Sequence, residues 1–276
     1  MTTTRRRFIG QGFTTAGFLG AQAPTARVVD NPKGGFRFLR GLAPFSSGAA
    51  ALGGFEVVHV IFSPAPPYRR GFELMDGHLK EEKRPPQALC GVELRSPKPF
   101  TFEGFGQFNQ GYVEELKRRS LILDGMNPVA RTNVAPEMNP PAEVLMYGFS
   151  YTAPARRAGP SFVLAGAGEV KGDQLAPEAI VRRGDTSAAG LRDKAAFVLG
   201  LLEERLRELG AGWGQVTTVG VYTVHDLFPL IQKTLLPRLG AAAAHGLRWY
   251  YARPPIQELE FEMDARGCPR ELVISA

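Results

Sequence analysis

Ser187 to Leu209 reads SAAGLRDKAAFVLGLLEERLREL, and shortly after it Val216 to Val224 reads VTTVGVYTV. In the first stretch Leu191, Ala195, Val198, Leu202, Leu206 and Leu209 recur at steps of three and four. Asp193, Glu203, Glu204, Arg207 and Glu208 fall elsewhere around the wheel, so the spacing predicts a helix with one apolar stripe. Asp185, Thr186 and Ser187 offer N-caps and Gly210 a stop. The second stretch is rich in β-branched residues and reads as a strand. A helix from Asp226 follows, with Pro229 in its first turn, where a missing N–H costs nothing. Strands over 247–252 and 257–265 complete the series.

The same order, strand, helix, strand, strand, occurs earlier in the chain. Leu89 to Leu94 is strand-like, Phe105, Phe108, Tyr112 and Leu116 mark one face of a helix, and strands follow over 129–135 and 144–151. An offset of about 120 residues is the size of a domain, so the pattern predicts duplication rather than a solenoid. Opening strands are expected over 53–62 and 161–165. The long helix has no strong counterpart, since Tyr68 to Lys83 contains Gly71 and Gly77 and is expected to be short or irregular. The expected fold is therefore α/β (α+β), in two lobes over 36–155 and 156–276, each a mixed sheet with helices packed on one face.

Composition narrows the class. The chain has 276 residues, 44% hydrophobic and 22% charged, with two Cys and a formal charge of +6. Disorder, collagen and a disulfide scaffold are excluded, and no apolar run is long enough to span a membrane. Residues 1–23 have the layout of an export signal: Thr4-Arg5-Arg6-Arg7-Phe8-Ile9, a weakly hydrophobic middle, then Ala21-Gln22-Ala23. The arginine run resembles a twin-arginine translocation signal and implies a periplasmic or extracellular protein; without a working leader the chain is cytoplasmic. The leader carries three arginines and no acid, so without it the charge falls from +6 to +3, too little to favour a nucleic-acid partner. Cys90 and Cys268 could form one long-range disulfide, which their spacing cannot decide. The four histidines, His59, His78, His225 and His245, lack any paired ligand spacing, so neither a metal nor another cofactor is expected.

Strand periodicity isolates the residues with chemical promise. Over 257–265, Leu259, Phe261, Met263 and Ala265 share one face, and Glu258, Glu260, Glu262 and Asp264 the other, where four like charges must face solvent or cations. Arg248 and Tyr250 share a face of the preceding strand. A guanidinium beside a carboxylate row suits an anionic substrate, with a glutamate to orient water. In the first lobe Arg131 shares its face with Val129 and Asn133, and an arginine among apolar neighbours needs a counter-charge. The strand over 144–151 supplies none, so the anion comes from a ligand or from elsewhere in the chain.

Phe108-Asn109-Gln110-Gly111-Tyr112, Pro128-Val129-Ala130-Arg131-Thr132, Arg248 and Leu259-Glu260-Phe261-Glu262 together resemble, in order and twice over, the reactive intermediate deaminases, the RidA or YjgF-like proteins once filed under an endoribonuclease name. The resemblance implies two tandem chorismate-mutase-like lobes, assembly as a homo-oligomer with a trimer favoured, and hydrolysis of enamines and imines such as 2-aminoacrylate, 2-iminobutanoate or 2-iminopropanoate. By position it implies Arg248 and Arg131 as holders of the substrate carboxylate, Glu260 as the water-orienting residue, and the carbonyls of Tyr250 and Asn133 as its partners. Ala165-Gly166-Ala167 stands where that family has Ser-Gly-Gln, and the first lobe lacks the glutamate. The reading is thus a hydrolase acting on an unsaturated carboxylate. The alternative is a catalytically silent carboxylate-binding or protein-interaction module of the same fold; chorismatase-like activity and RNA binding are lesser ones.

Overall fold

The structure, a computed structural model, describes residues 27–156, 159–172 and 175–276. The export signal expected over 1–23 lies outside them. Thirteen strands and three regular helices are described. The strands are β1 (Val28–Asn31), β2 (Phe36–Leu39), β3 (Gly48–Ala51), β4 (Phe55–Phe62), β5 (Leu89–Arg95), β6 (Ala130–Pro136), β7 (Leu145–Pro154), β8 (Phe162–Gly168), β9 (Thr218–Tyr222), β10 (Arg248–Tyr250), β11 (Ala252–Arg253), β12 (Glu262–Gly267) and β13 (Arg270–Ile274); the helices are α1 (Tyr68–Glu81), α2 (Phe102–Arg118) and α3 (Ala188–Glu208). One sheet runs β1-β2-β3-β8-β12-β9-β10 and the other β11-β6-β5-β7-β4-β13. Both are mixed: β5 pairs in parallel with β6, and β9 with β10, while β8 and β12 are antiparallel. Residues 28–51 extend the sheet built mainly from the second half of the chain, and β13 returns from the C-terminus to edge the other.

Each helix buries an apolar stripe on one sheet. Ser187 caps α3 by accepting from the Gly190 amide, and Thr101 caps α2 by accepting from Gly104. Leu191, Val198, Leu202 and Leu206 of α3 pack on Leu164, Val219, Met263 and Ala265. On the other sheet, α1 and α2 bring Phe72, Met75, Tyr112 and Leu116 against Val58, Val92 and Phe149. A third cluster, Phe36, Phe38, Val57, Cys90, Ala130 and Val163, combines residues of both sheets with none from a helix. The layers therefore run helix, sheet, sheet, helix.

Three local expectations are corrected. The stretch from Tyr68 forms a regular fourteen-residue helix rather than an irregular one, because Phe72, Met75 and Leu79 are spaced for one buried face. Gly71 fits there because a Cβ at that position would come within 2.5 Å of Met146. The strand expected over 247–252 is split: β10 stays beside β9, whereas Ala252 and Arg253 cross to pair with β6. The strand expected over 257–265 starts only at Glu262. Alternation still holds within it, but Glu262 and Asp264 are buried between the sheets instead of facing solvent.

Polar groups between the sheets pair with one another, while Glu93 Oε2, Asp264 Oδ1 and Arg266 Nε are buried without a hydrogen-bond partner. Glu93 pairs with Arg266 and with Nε2 of His59 at 2.7 Å, and His59 Nδ1 lies 2.9 Å from Glu271. The arginine and the histidine beside Glu93 outweigh its burial and hold its carboxyl far below the usual range. Asp264 accepts from Thr132 Oγ1 and Tyr222 Oη, each at 2.9 Å.

Candidate active site

A cavity of about 650 Å³ opens where β6 of one sheet meets β8 and β12 of the other. Arg131 projects from β6 toward α2. Its guanidinium stacks against Phe45, Phe105, Phe108 and Tyr112, with its carbon 4.5 to 5.7 Å from the ring centroids, and its Nη2 donates to Asn109 Oδ1 at 2.7 Å. No carboxylate lies within 4 Å of it among the described residues, and its Nη1 is buried without a partner. Burial lowers its pKa to about 10, which leaves it charged at neutral pH. Two residues along the same strand face, Asn133 uses its Oδ1 to accept from Ser96 Oγ, and its Nδ2 is likewise buried without a partner. Two residues with unsatisfied donors, neighbours on one strand face, line one cavity. Such donors are expensive to leave empty, and an anion would satisfy both.

Glu262 supplies the acid. It lines the cavity from β12, and among the described residues no cation comes within 4 Å of it. Burial, together with the carboxylates of Asp264 and Glu169, pushes its pKa well above the ordinary value against the opposing pull of Arg205 and Arg131. That shift favours the protonated, hydrogen-donating form of the carboxyl. Space for it comes from a bulge in β8, where Ala165 and Gly166 together oppose Asp264. A Cβ on Gly166 would stand 2.1 Å from Glu262 Oε1, so a side chain at this position would have to displace the carboxyl. The Ala165 carbonyl at this bulge accepts from Arg205 Nη1 of α3 at 2.8 Å.

Behind the acid stands a fully buried ion pair. Lys194 of α3 donates to Glu169 Oε1 at 3.1 Å and to the Val181 carbonyl, and Glu169 also accepts from the amides of Glu260 and Phe261. That pair ties the approach to β12 onto α3 and so fixes the strand that carries Glu262. Phe45, Phe105, Ile256 and Leu259 form the apolar wall opposite.

The other residues singled out in the sequence lie elsewhere. Arg248 is on the edge strand β10, 43% exposed, and bridges both oxygens of Glu271 at 2.8 and 3.2 Å. Tyr250 stacks on Tyr222 at 5.0 Å. Glu260 pairs with His225 at 2.7 Å and lies 3.8 Å from Arg253. None of the three lines the cavity that holds Arg131 and Asn133. Glu262 and Arg205 were not singled out as site residues. Glu262 stood in the acid row with nothing in sequence to separate it from Glu260. For Arg205 and Lys194 a signal existed: seven residues after Val198 and four before it, they interrupt the apolar stripe of α3 with charges. Among the described residues no three His, Cys, Asp or Glu side chains gather closely enough to hold a metal ion, and no helix is long and apolar enough to cross a membrane.

A model of the family described as "2-aminomuconate deaminase CnbZ" matches residues 28–272. A 2-amino-5-chloromuconate deaminase of Comamonas testosteroni is 43% identical over 251 residues, which cover 90% of this chain and 98% of that protein. Among solved structures, a chorismatase aligns over 80% of this chain and 77% of its own, at 13% identity and a TM-score of 0.42. These matches overturn the expected membership of the reactive intermediate deaminase superfamily: the matching deaminases are of a different family, and the short motifs around Arg131 and Arg248 were too degenerate to tell the two apart.

Proposed function

The chain belongs to the 2-aminomuconate deaminase CnbZ family, and on that premise we propose that it hydrolyses a 2-aminomuconate-type enamine, an unsaturated carboxylate, in the cavity between its sheets. One observation carries the assignment of the site: Arg131, whose buried guanidinium keeps an unpartnered N–H, lines the same cavity as Glu262, a buried carboxyl with no cation within 4 Å among the described residues.

In this reading Arg131 and Asn133 hold the carboxylate next to the amino group, and the rings around Arg131 exclude water from that contact. Glu262 gives its proton to an enamine carbon as the nitrogen lone pair closes the C=N bond, which makes the iminium cation. The resulting carboxylate then takes a proton from the water that adds to the iminium carbon. Glu262 then passes that proton to the nitrogen and takes the hydroxyl proton as the carbinolamine collapses, which breaks the C–N bond, forms the carbonyl and releases ammonia. Enamine and water thus give a 2-oxo acid and ammonia, with no redox change. A carboxyl with a strongly raised pKa suits both steps, since it starts as an acid and serves next as a base.

Ammonia release from 2-aminomuconate tests the assignment. Glu262→Gln is expected to lower kcat by roughly 10² to 10⁴, the usual worth of a general acid and base, while Glu260→Gln stays within about threefold of wild type. The reverse ranking would move the chemistry to Glu260 and overturn the role given to Glu262.

A further inference from the structure

Glu262 feels the charge of two cavity arginines, and they come from opposite walls. Arg131 stands on β6; Arg205 stands on α3, above the bulge of β8. Arg205 has much in common with Arg131. Burial lowers its pKa to about 10, the Ala165 carbonyl accepts one of its N–H groups, and no carboxylate lies within 4 Å of it among the described residues. Arg40, half-buried on the same lining, also has no ion pair within 4 Å among the described residues. Arg27, by contrast, is neutralised at the rim by Glu204 and Glu208 at 2.6 and 2.9 Å. Arg131, Arg205 and Arg40 thus line one cavity, with no carboxylate within 4 Å of any of them among the described residues. One carboxylate at Arg131 answers only one of these, and a stripe position of an amphipathic helix is a costly place for a charge with nothing to bind.

We propose that Arg205, with Arg40 on the same cavity lining, forms a second anion pole that binds the distal carboxylate of the substrate, so that the cavity selects six-carbon dicarboxylates over monocarboxylates. This assignment rests on the deaminase reading of the same cavity and adds to it which end of the substrate is read, and by what. Glu262 lines the same cavity and feels the charge of both poles, so the conjugated chain of a dicarboxylate bridging them would pass near it. The apolar wall of Phe45, Ile256 and Leu259 suits that chain.

Two stable dienes isolate the second carboxylate: muconate (hexa-2,4-dienedioate) and sorbate (hexa-2,4-dienoate) have the same chain, and sorbate lacks one acid. Calorimetric Kd values for both, with wild type, Arg205→Met, Arg205→Lys and Arg131→Met, give a preference ratio. Wild type is expected to favour muconate by about tenfold or more, as an added charge-assisted contact should. The ratio should fall to within about twofold of unity in Arg205→Met and in Arg131→Met, whichever pole sorbate occupies, and recover in part in Arg205→Lys. Thermal melting identifies any unfolded variant, for which Arg205→Lys decides: a Kd ratio equal to wild type there, in spite of the altered donor geometry, counts against the pole. A ratio unchanged in Arg205→Met, or absent from wild type, overturns the proposal. Turnover of 2-aminomuconate by wild type is scored separately. Discrimination without turnover keeps the second pole and sinks the deaminase reading; turnover without discrimination does the opposite.

Discussion

Arg131 and Arg248 occupy comparable places in the two halves of the chain, each on a strand that follows a helical segment and pairs in parallel with the strand before that segment. Their surroundings are opposite. Arg248 sits at an exposed sheet edge with its guanidinium on Glu271, the outer end of a chain of ion pairs running through His59 and Glu93 to Arg266. Arg131 is buried among aromatic rings, with one amide oxygen for a partner and an N–H left over. A cation whose protein partner is present is structural material; a buried cation without one implies a ligand. The same distinction separates Lys194, locked to Glu169, from Arg205 on the same helix.

That contrast can be broken by experiment, starting where the effect is largest. Lys194→Met leaves Glu169 buried without its cation and is expected to cost about 3 to 5 kcal/mol of stability, read as a fall in the urea midpoint. Arg131→Met removes a cation whose partner is the substrate. Its kcat/KM is expected to fall roughly 100-fold, equivalent to about 2.7 kcal/mol, with a melting temperature no lower than wild type. If Arg131→Met instead unfolds the protein and Lys194→Met leaves it intact, the distinction fails.

Glu262 gives an effect graded by pH. Its folded pKa is raised, so the stability tied to its protonated form is present below its unfolded pKa and is lost as pH rises through the folded value. Wild type should therefore lose stability relative to Glu262→Gln above the ordinary carboxylate range, by about 1.4 kcal/mol for each pH unit up to that value. Denaturation midpoints at pH 5, 7 and 9 measure it; parallel curves for the two proteins would mean that the carboxyl is already ionised. Smallest is Arg248→Met, which removes a largely solvent-screened pair and is expected to change stability by no more than about 1 kcal/mol and kcat/KM by no more than about threefold.

Elements with a strong period were legible in the sequence. The stripe of α3, its Ser187 cap, and the alternation of Phe261, Met263 and Ala265 against Glu262 and Asp264 all reappear in the fold. Less legible were β1 to β3 and β13, short segments whose pairing partners are distant in the chain and leave no local trace. The α1 helix hid behind its glycines, because a close approach to Met146 rather than propensity decides Gly71.

By itself the sequence determined the local periods: which faces are apolar, where helices begin, and that charges such as Arg131 fall at positions where a charge needs a partner. Which charges find partners was decided only by the tertiary structure. Glu260 and Glu262 are equivalent on a strand of period two. They part company because the chain bends before β12, giving Glu260 to His225 while the bulge at Gly166 leaves Glu262 buried on the cavity lining with its pKa raised. Periodicity fixes the direction of a side chain, but its charge state depends on everything packed around it, and that is assembled from strands far apart in sequence.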